Sequence, residues 1–266
     1  MKMLAKIGVI GGSGFYKLFD KAEEIKVETP YGPPSGKVAV GKIADQKVVF
    51  LPRHSKDHEF PPHKINYRAN IFALKSLGIE RIVTVTACGS LQAKIKRGDF
   101  VVLNQFVDRT SARHDTFYDG PITTHVSTAY PYCAHLSELA QKVGVKEKIK
   151  IHPKGTVVVI QGPRFSTAAE SLWFTKMGWD VVNMTQYPEV SLARELEMCY
   201  AAIALVTDYD AGVLAQEKIK PVSVAEFTKV FKENNEKAQK LLYKMITQWP
   251  NEKKCDCGKA LAGARV

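Results

Sequence analysis

Residues 5–16 place a short apolar strand, Ile7–Ile10, directly before the glycine-rich turn Gly11-Gly12-Ser13-Gly14. Glycines without Cβ atoms let consecutive backbone N–H groups converge, and a serine hydroxyl adds a donor, so this turn suits an anion. The alternative use of the same residues is a tight turn after an edge strand. The turn does not fit GxGxxG with an acidic ribose-binding residue about twenty positions on, and no Lys-Ser or Lys-Thr follows it as in a phosphate-binding P-loop. Further polar groups follow other apolar runs: Arg53-His54 after Val48–Leu51, Thr86–Ser90 after Arg81–Val85, Asn183–Thr185, and Thr207–Asp210. In an open α/β sheet ligands collect beyond the carboxyl ends of strands, so five such ends carrying polar residues outline one site.

The elements that must position these residues are legible from periodicity. Strand-like runs fall at Ile7–Ile10, Lys37–Ile43, Lys47–Leu51, Arg81–Thr86, Phe100–Phe106, Thr156–Ile160, Val181–Asn183 and Ala201–Thr207. The second and third predict a hairpin through Ala44-Asp45-Gln46. Helical patterns cover Asn66–Leu77, Cys133–Val143, Thr167–Met177, Glu189–Met198 and Val224–Gln248, with Ser223 as a cap for the last. This alternation predicts an α/β fold, a single domain over residues 1–248 with a mixed, mostly parallel sheet flanked by helices. Residues 249–266, with Pro250, glycines and charges, read as a C-terminal tail carrying Cys255-Asp256-Cys257.

The 266 residues, 45% of them hydrophobic, suffice for one large core. No apolar run approaches membrane-spanning length, and no charged-then-apolar leader precedes the first strand, so the expectation is a cytoplasmic protein with no membrane partner. The net charge of +11 raises nucleic acid as a partner. Its lysines are scattered, however, and clusters such as Lys146–Lys150 alternate with apolar or acidic residues as solvated faces do. Solubility and attraction of anionic substrates account for the charge without nucleic acid. The five cysteines form neither a disulfide framework nor a CxxC…CxxC zinc site. Abundant Lys and Glu permit a thermophilic source; in such a protein Cys255 would join Cys257, and Cys133 would join Cys199, as disulfides. Five free thiols are the ordinary intracellular alternative.

The ordered set Gly11–Gly14, Pro52–His54, Asn66–Asn70, Thr86–Ser90, Phe117–Gly120, Gly162–Ser166, Asn183–Thr185 and Thr207–Asp210 resembles the trimeric purine nucleoside phosphorylase family, most closely its methylthioadenosine phosphorylase branch. The resemblance spans roughly residues 5–230. It implies phosphate-dependent cleavage of the N-glycosidic bond of 5′-methylthioadenosine to adenine and 5-methylthioribose 1-phosphate. Inorganic phosphate is then a co-substrate, and no cofactor or metal is needed. Ser13, Arg53, His54, Thr86, Ala87 and Thr185 would hold phosphate; cationic and neutral donors in that set suit an oxyanion. Phe165 would stack on the base with Ser166 beside it, and Met184 would lie against the ribose. Asp208 would act at N7 and N6 with Asp210 beside it, a carboxylate acceptor being the partner a 6-amino group requires. His125 from an adjacent subunit, with Val224, Phe227 and Thr228, would wall the 5′ pocket of a trimer or dimer of trimers. Thr228 departs from the larger apolar residue associated with that position, so adenosine joins methylthioadenosine as a candidate substrate. The rival readings are a 6-oxopurine nucleoside or methylthioinosine phosphorylase, and a nucleoside- or nucleic-acid-binding protein without catalysis.

Overall fold

The structure, a computed structural model, describes residues 4–19, 21–216 and 224–266; the side chains of residues 13, 16, 17 and 224–228 are outside that description, as is the proposed cap Ser223. Nine strands form one mixed sheet: β1 Ile7–Gly11, β2 Ala22–Ile25, β3 Val38–Ile43, β4 Gln46–Pro52, β5 Arg81–Ser90, β6 Phe100–Arg109, β7 Ile151–Ile160, β8 Val181–Asn183 and β9 Cys199–Tyr209. Their order is β2-β3-β4-β1-β5-β8-β7-β6-β9, and β9 also pairs with β5, which closes the last five strands into a ring. The α/β fold expected from the alternation of strand and helix patterns is present.

The predicted hairpin is β3–β4, antiparallel, with Ala44 at φ 49° in its turn. β1 lies parallel between β4 and β5, which sets the glycine turn beside Arg53 and the end of β5. Two differences from the sequence reading matter for the site. β5 and β9 run on through Ser90 and Tyr209, so the polar residues expected after these strands, Asp210 excepted, lie on the strands themselves. The cause is pairing: β9 accompanies β5 to its end across a register shift at Cys88/Gly89, and Gly89-Ser90 also pairs antiparallel with Val182-Val181 of β8. β2 was absent from the expectation because its Ala-Glu-Glu-Ile is largely exposed and lacks an apolar alternation.

Helices α1 Tyr67–Ser76, α2 Ala134–Lys146, α3 Ala168–Lys176, α4 Gln186–Glu195, α5 Ala211–Gln216 and α6 Val224–Thr247 cover the sheet. Ile71 and Leu74 of α1 share a core with Val190 and Leu192 of α4, while Leu136 and Val143 of α2 share another with Leu241 and Met245 of α6. Thr167 caps α3 through a capping box: its side chain accepts from Glu170 N–H, and the Glu170 carboxylate accepts from Thr167 N–H at 2.8 Å. No helix among the described residues is long and apolar enough to cross a membrane.

Residues 249–266 fold back onto the domain. Arg81 donates to the carbonyls of Pro250 and Asn251, Trp249 and Cys255 pack on the core, and Cys257 and Ala264 are buried. In this structure all five cysteines, those expected to pair among them, are unbonded. Folding back of this segment brings Cys255 and Cys257 to Cys133 and Cys199, with the four sulfur atoms within 4.8 Å of one another.

Candidate active site

A cavity of about 530 Å³ opens at the carboxyl ends of β1, β4, β5, β8 and β9. Gly12, Gly14, Arg53, His54, Thr86, Ala87, Thr185, Met184, Phe165, Ser166, Asp208 and Asp210 all line it, so most of the residues singled out by sequence converge. The Ser13 backbone lies in the 3-10 turn Ser13–Leu18, but its side chain, like those of Val224, Phe227 and Thr228 on α6, lies outside the described residues. His125 is exposed and does not line this cavity; its backbone N–H donates to Ala264 O at 2.7 Å.

Arg53 emerges as the centre of a buried network rather than as a bare phosphate fork. Only 2% exposed, it donates from Nε to Glu189 Oε2 at 2.7 Å and from Nη2 to Oε1 at 2.9 Å. Nη2 also donates to Thr84 Oγ1, and Nη1 to the Val85 carbonyl at 3.1 Å. Of five guanidinium N–H groups, one on Nη1 is left for the cavity. Burial pulls the Arg53 pKa down, but the Glu189 charge and its hydrogen bonds outweigh that and hold it above the usual arginine value. Glu189 is fully buried and also accepts from Tyr200 OH. Sequence reasoning missed it, although a single carboxylate in Pro188-Glu-Val-Ser-Leu-Ala193 is a charge inside an apolar stretch, which demands a partner.

Two hydroxyls adjoin this network. Thr86 Oγ1 lies 3.3 Å from Thr185 Oγ1 and accepts from Asn183 Nδ2 at 3.3 Å, joining the ends of β5 and β8. His54 donates from Nδ1 to the Phe60 carbonyl at 2.8 Å and stacks on His58, with ring centroids 4.4 Å apart. Burial, then the Arg53 and His58 charges, push its pKa down to about 4. The imidazole is neutral at pH 7, with Nε2 an acceptor.

At the other carboxylate-bearing end, burial raises the pKa of Asp208, and the Asp210 charge adds to the rise; a hydrogen bond from Thr207 Oγ1 at 2.7 Å opposes it. Burial also raises Asp210 against the hydroxyls of Ser171 and Ser166 close by. Asp210 Oδ2 and Ser166 Oγ are buried at the cavity with no well-formed hydrogen bond among the described residues. Phe165 is 76% exposed, an aromatic face unpaired with the core. Gly162, at φ +66°, permits the turn that carries it: a Cβ there would meet Met184 Sδ at 2.7 Å. Arg113 ties the same strands together, donating to the carbonyls of Gln161, Met184 and Tyr187. Phe231, Asn234 and Asn235 of α6 complete the lining and were not foreseen, since a helix pattern does not tell which turn meets a cavity. A charge-neutralised cation with hydroxyls at one set of strand ends, and carboxylates whose pKa burial raises at another, form a site able to hold an oxyanion and a hydrogen-bonding heterocycle together.

The profile of the phosphorylase superfamily matches residues 6–247. A protein of Thermofilum pendens named S-methyl-5′-thioadenosine phosphorylase is 52% identical over 98% of this chain and 98% of its own, and a Pyrococcus furiosus protein of the same name is 50% identical over 97% and 98%. The crystal structure of a mutant adenosine/methylthioadenosine phosphorylase from Schistosoma mansoni in complex with methylthioadenosine superposes with a TM-score of 0.90 at 38% identity, covering 98% of this chain and 99% of that one. A match over nearly the whole domain, with relatives this similar along their full length, means that the chain belongs to the phosphorylase superfamily, among the S-methyl-5′-thioadenosine phosphorylases.

Proposed function

We propose that this protein cleaves 5′-methylthioadenosine with inorganic phosphate, giving adenine and 5-methylthioribose 1-phosphate. The observation that carries the reading is the sharing of one cavity by the Arg53, Thr86 and Thr185 donors and the Asp208/Asp210 carboxylates of raised pKa. The relatives named above, and the methylthioadenosine complex, support the same substrate.

In the reaction a phosphate oxygen forms a bond to the anomeric carbon as the bond to purine N9 breaks, and the bonding pair leaves with the base. Positive charge builds on the sugar and negative charge on the purine. Thr86 and Thr185 hydroxyls and the remaining Arg53 N–H hold the phosphate; the neutral His54 Nε2 accepts from a phosphate hydroxyl. Because Glu189 already neutralises Arg53, the site binds phosphate through directed hydrogen bonds without so much positive charge that attack is suppressed. Burial raises the Asp208 pKa, which favours its sharing a proton with purine N7 as negative charge builds there, and so makes the base a better leaving group. As an acceptor, the carboxylate pair selects a 6-amino over a 6-oxo purine. Phe165 packs on the base, and Ser166 with Asp210 takes its polar edge.

The polypeptide works as a homo-oligomer in the cytoplasm, a trimer or dimer of trimers in which a neighbouring subunit's loop closes the 5′ pocket. Adenine release measured against phosphate concentration tests the reading of the site. Saturable dependence on phosphate is expected, with Thr185→Val raising the phosphate KM more than the nucleoside KM. Equal adenine release in phosphate-free buffer would refute it.

A further inference from the structure

Arg113 stands on the loop after β6 and does not line the cavity, yet its half-buried guanidinium reaches the chain segments that do. Nε donates to Gln161 Oε1 at 3.1 Å; Nη2 donates to the carbonyls of Gln161 at 2.8 Å and Met184 at 3.0 Å, with Ile160 O more distant at 3.5 Å. Nη1 donates to the Tyr187 carbonyl and lies 3.5 Å from Tyr67 OH, whose ring centroid is 5.4 Å from the guanidinium carbon. All five N–H groups of the fork are thereby engaged, and each of these acceptors is uncharged. An arginine taken out of water ordinarily meets a carboxylate. Here backbone carbonyls converging on one point take that place, so what the side chain holds is the relative position of the segments that carry them.

Each carbonyl belongs to a different part of the site. Gln161 precedes Gly162, whose φ of +66° carries the chain towards Phe165 and Ser166 on the base side. Met184, beside the ribose, is followed by Thr185 with its hydroxyl for phosphate. Tyr187 has non-helical φ −107° and ψ 134° inside α4, which turns its carbonyl out of the helical ladder, and Glu189, the buried partner of Arg53, follows two residues later. The loop is itself pinned to α4: Asp115 Oδ2 accepts from Tyr187 OH at 2.5 Å, and Glu195 accepts from Thr116 Oγ1 at 2.8 Å and from Phe117 N–H at 2.7 Å. On the phosphorolysis reading of this cavity, on which the inference rests, we propose that Arg113 is a positioning residue whose guanidinium sets the spacing between the base platform and the phosphate donors by clasping the carbonyls of Gln161, Met184 and Tyr187. A lysine would carry the charge but, with a single nitrogen, would not span acceptors on three segments. Without the clasp the two half-sites shift relative to each other, so base and phosphate both bind less well although neither touches Arg113.

The test compares the full-length wild type with Arg113→Ala and Arg113→Lys, each checked for native circular dichroism. Adenine affinity is measured by equilibrium dialysis without phosphate, which needs no turnover, and methylthioadenosine phosphorolysis is followed at varied phosphate. In both variants the adenine Kd and the phosphate KM should rise together, and kcat/KM should fall at least roughly tenfold, because small misplacements of reacting groups are costly. Millimolar guanidinium chloride should restore part of the activity of Arg113→Ala saturably and leave the wild type unimproved. A residue that serves stability alone cannot respond in this way, since guanidinium weakens folded proteins. Activity that guanidinium only depresses would therefore overturn the proposal, as would an Arg113→Lys enzyme with wild-type adenine Kd and phosphate KM. Wild-type adenine release that ignores phosphate would instead strike the phosphorolysis reading, and the adenine Kd of the variants would still decide whether Arg113 positions the base platform.

Discussion

Replacing Glu189 with glutamine probes the interaction on which the phosphate end of the site rests. The carboxylate is fully buried, accepts two hydrogen bonds from Arg53 and one from Tyr200, and carries the charge opposite a guanidinium that is 2% exposed. Glutamine keeps the volume and one acceptor oxygen but presents an NH₂ where Arg53 or Tyr200 now donates, leaving the arginine charge uncompensated. Removing one partner of a buried pair costs about 3–5 kcal/mol. With the remaining acceptor discounted, a loss of about 3 kcal/mol is expected, equivalent to a fall of about 6–12 °C in Tm for a domain of this size. Denaturant unfolding monitored by tryptophan fluorescence reads the first quantity and calorimetry the second. The released Arg53 no longer holds its position, so kcat/KM for phosphate should also fall by roughly tenfold or more, since small misplacements of positioning groups are costly. The Arg53→Met/Glu189→Leu double variant should be more stable than the sum of the single losses predicts, by about 1–3 kcal/mol. A Glu189→Gln protein within about 0.5 kcal/mol of wild type, with unchanged phosphate saturation, would refute the reasoning.

Asp208→Asn replaces an acceptor and proton donor by an amide, and should shift the ratio of adenosine to inosine turnover toward inosine by at least roughly tenfold; an unchanged ratio in steady-state assays would place base recognition elsewhere. His54, whose pKa is pushed down to about 4, binds its proton less readily in the folded than in the unfolded state, where the reference value is about 6.5. Its contribution to stability is thus present above pH 6.5 and lost as pH falls toward 4, by at most about 3 kcal/mol, and His54→Asn should flatten that part of the stability-versus-pH curve. If a neighbour's His125 completes the 5′ pocket, light scattering should give at least three times the 29.6 kDa chain mass, and His125→Ala should raise KM more for methylthioadenosine than for adenosine. A fully active monomer would exclude a shared pocket.

The sequence made the sheet readable wherever a strand is buried on both faces: the runs at Ile7–Ile10, Arg81–Thr86 and Ala201–Thr207 each fall within an observed strand. The capping box at Thr167 and Glu170 is likewise a local signal, carried by residues three apart. What escaped depends on distant partners. Arg53 looks like a phosphate fork beside a glycine turn, and only the approach of α4 reveals that Glu189, 136 residues away, takes two of its five N–H donors and neutralises its charge. Strand ends at Thr86 and Thr207 read short because polar residues resemble loops, whereas the β5–β9 pairing extends both. Beyond the Cys255-Asp256-Cys257 motif, the gathering of the four cysteines has no local signature; it depends on the folding back of residues 249–266.

The central claim is that the sugar is transferred to phosphate and not to water. Phosphorus NMR on the purified enzyme with methylthioadenosine and limiting inorganic phosphate, alongside ultraviolet quantification of adenine, measures this directly. One phosphate should disappear into an anomeric sugar phosphate signal for every adenine released, and release should stop when phosphate is exhausted. Adenine accumulating while the inorganic phosphate signal stays constant would contradict the account.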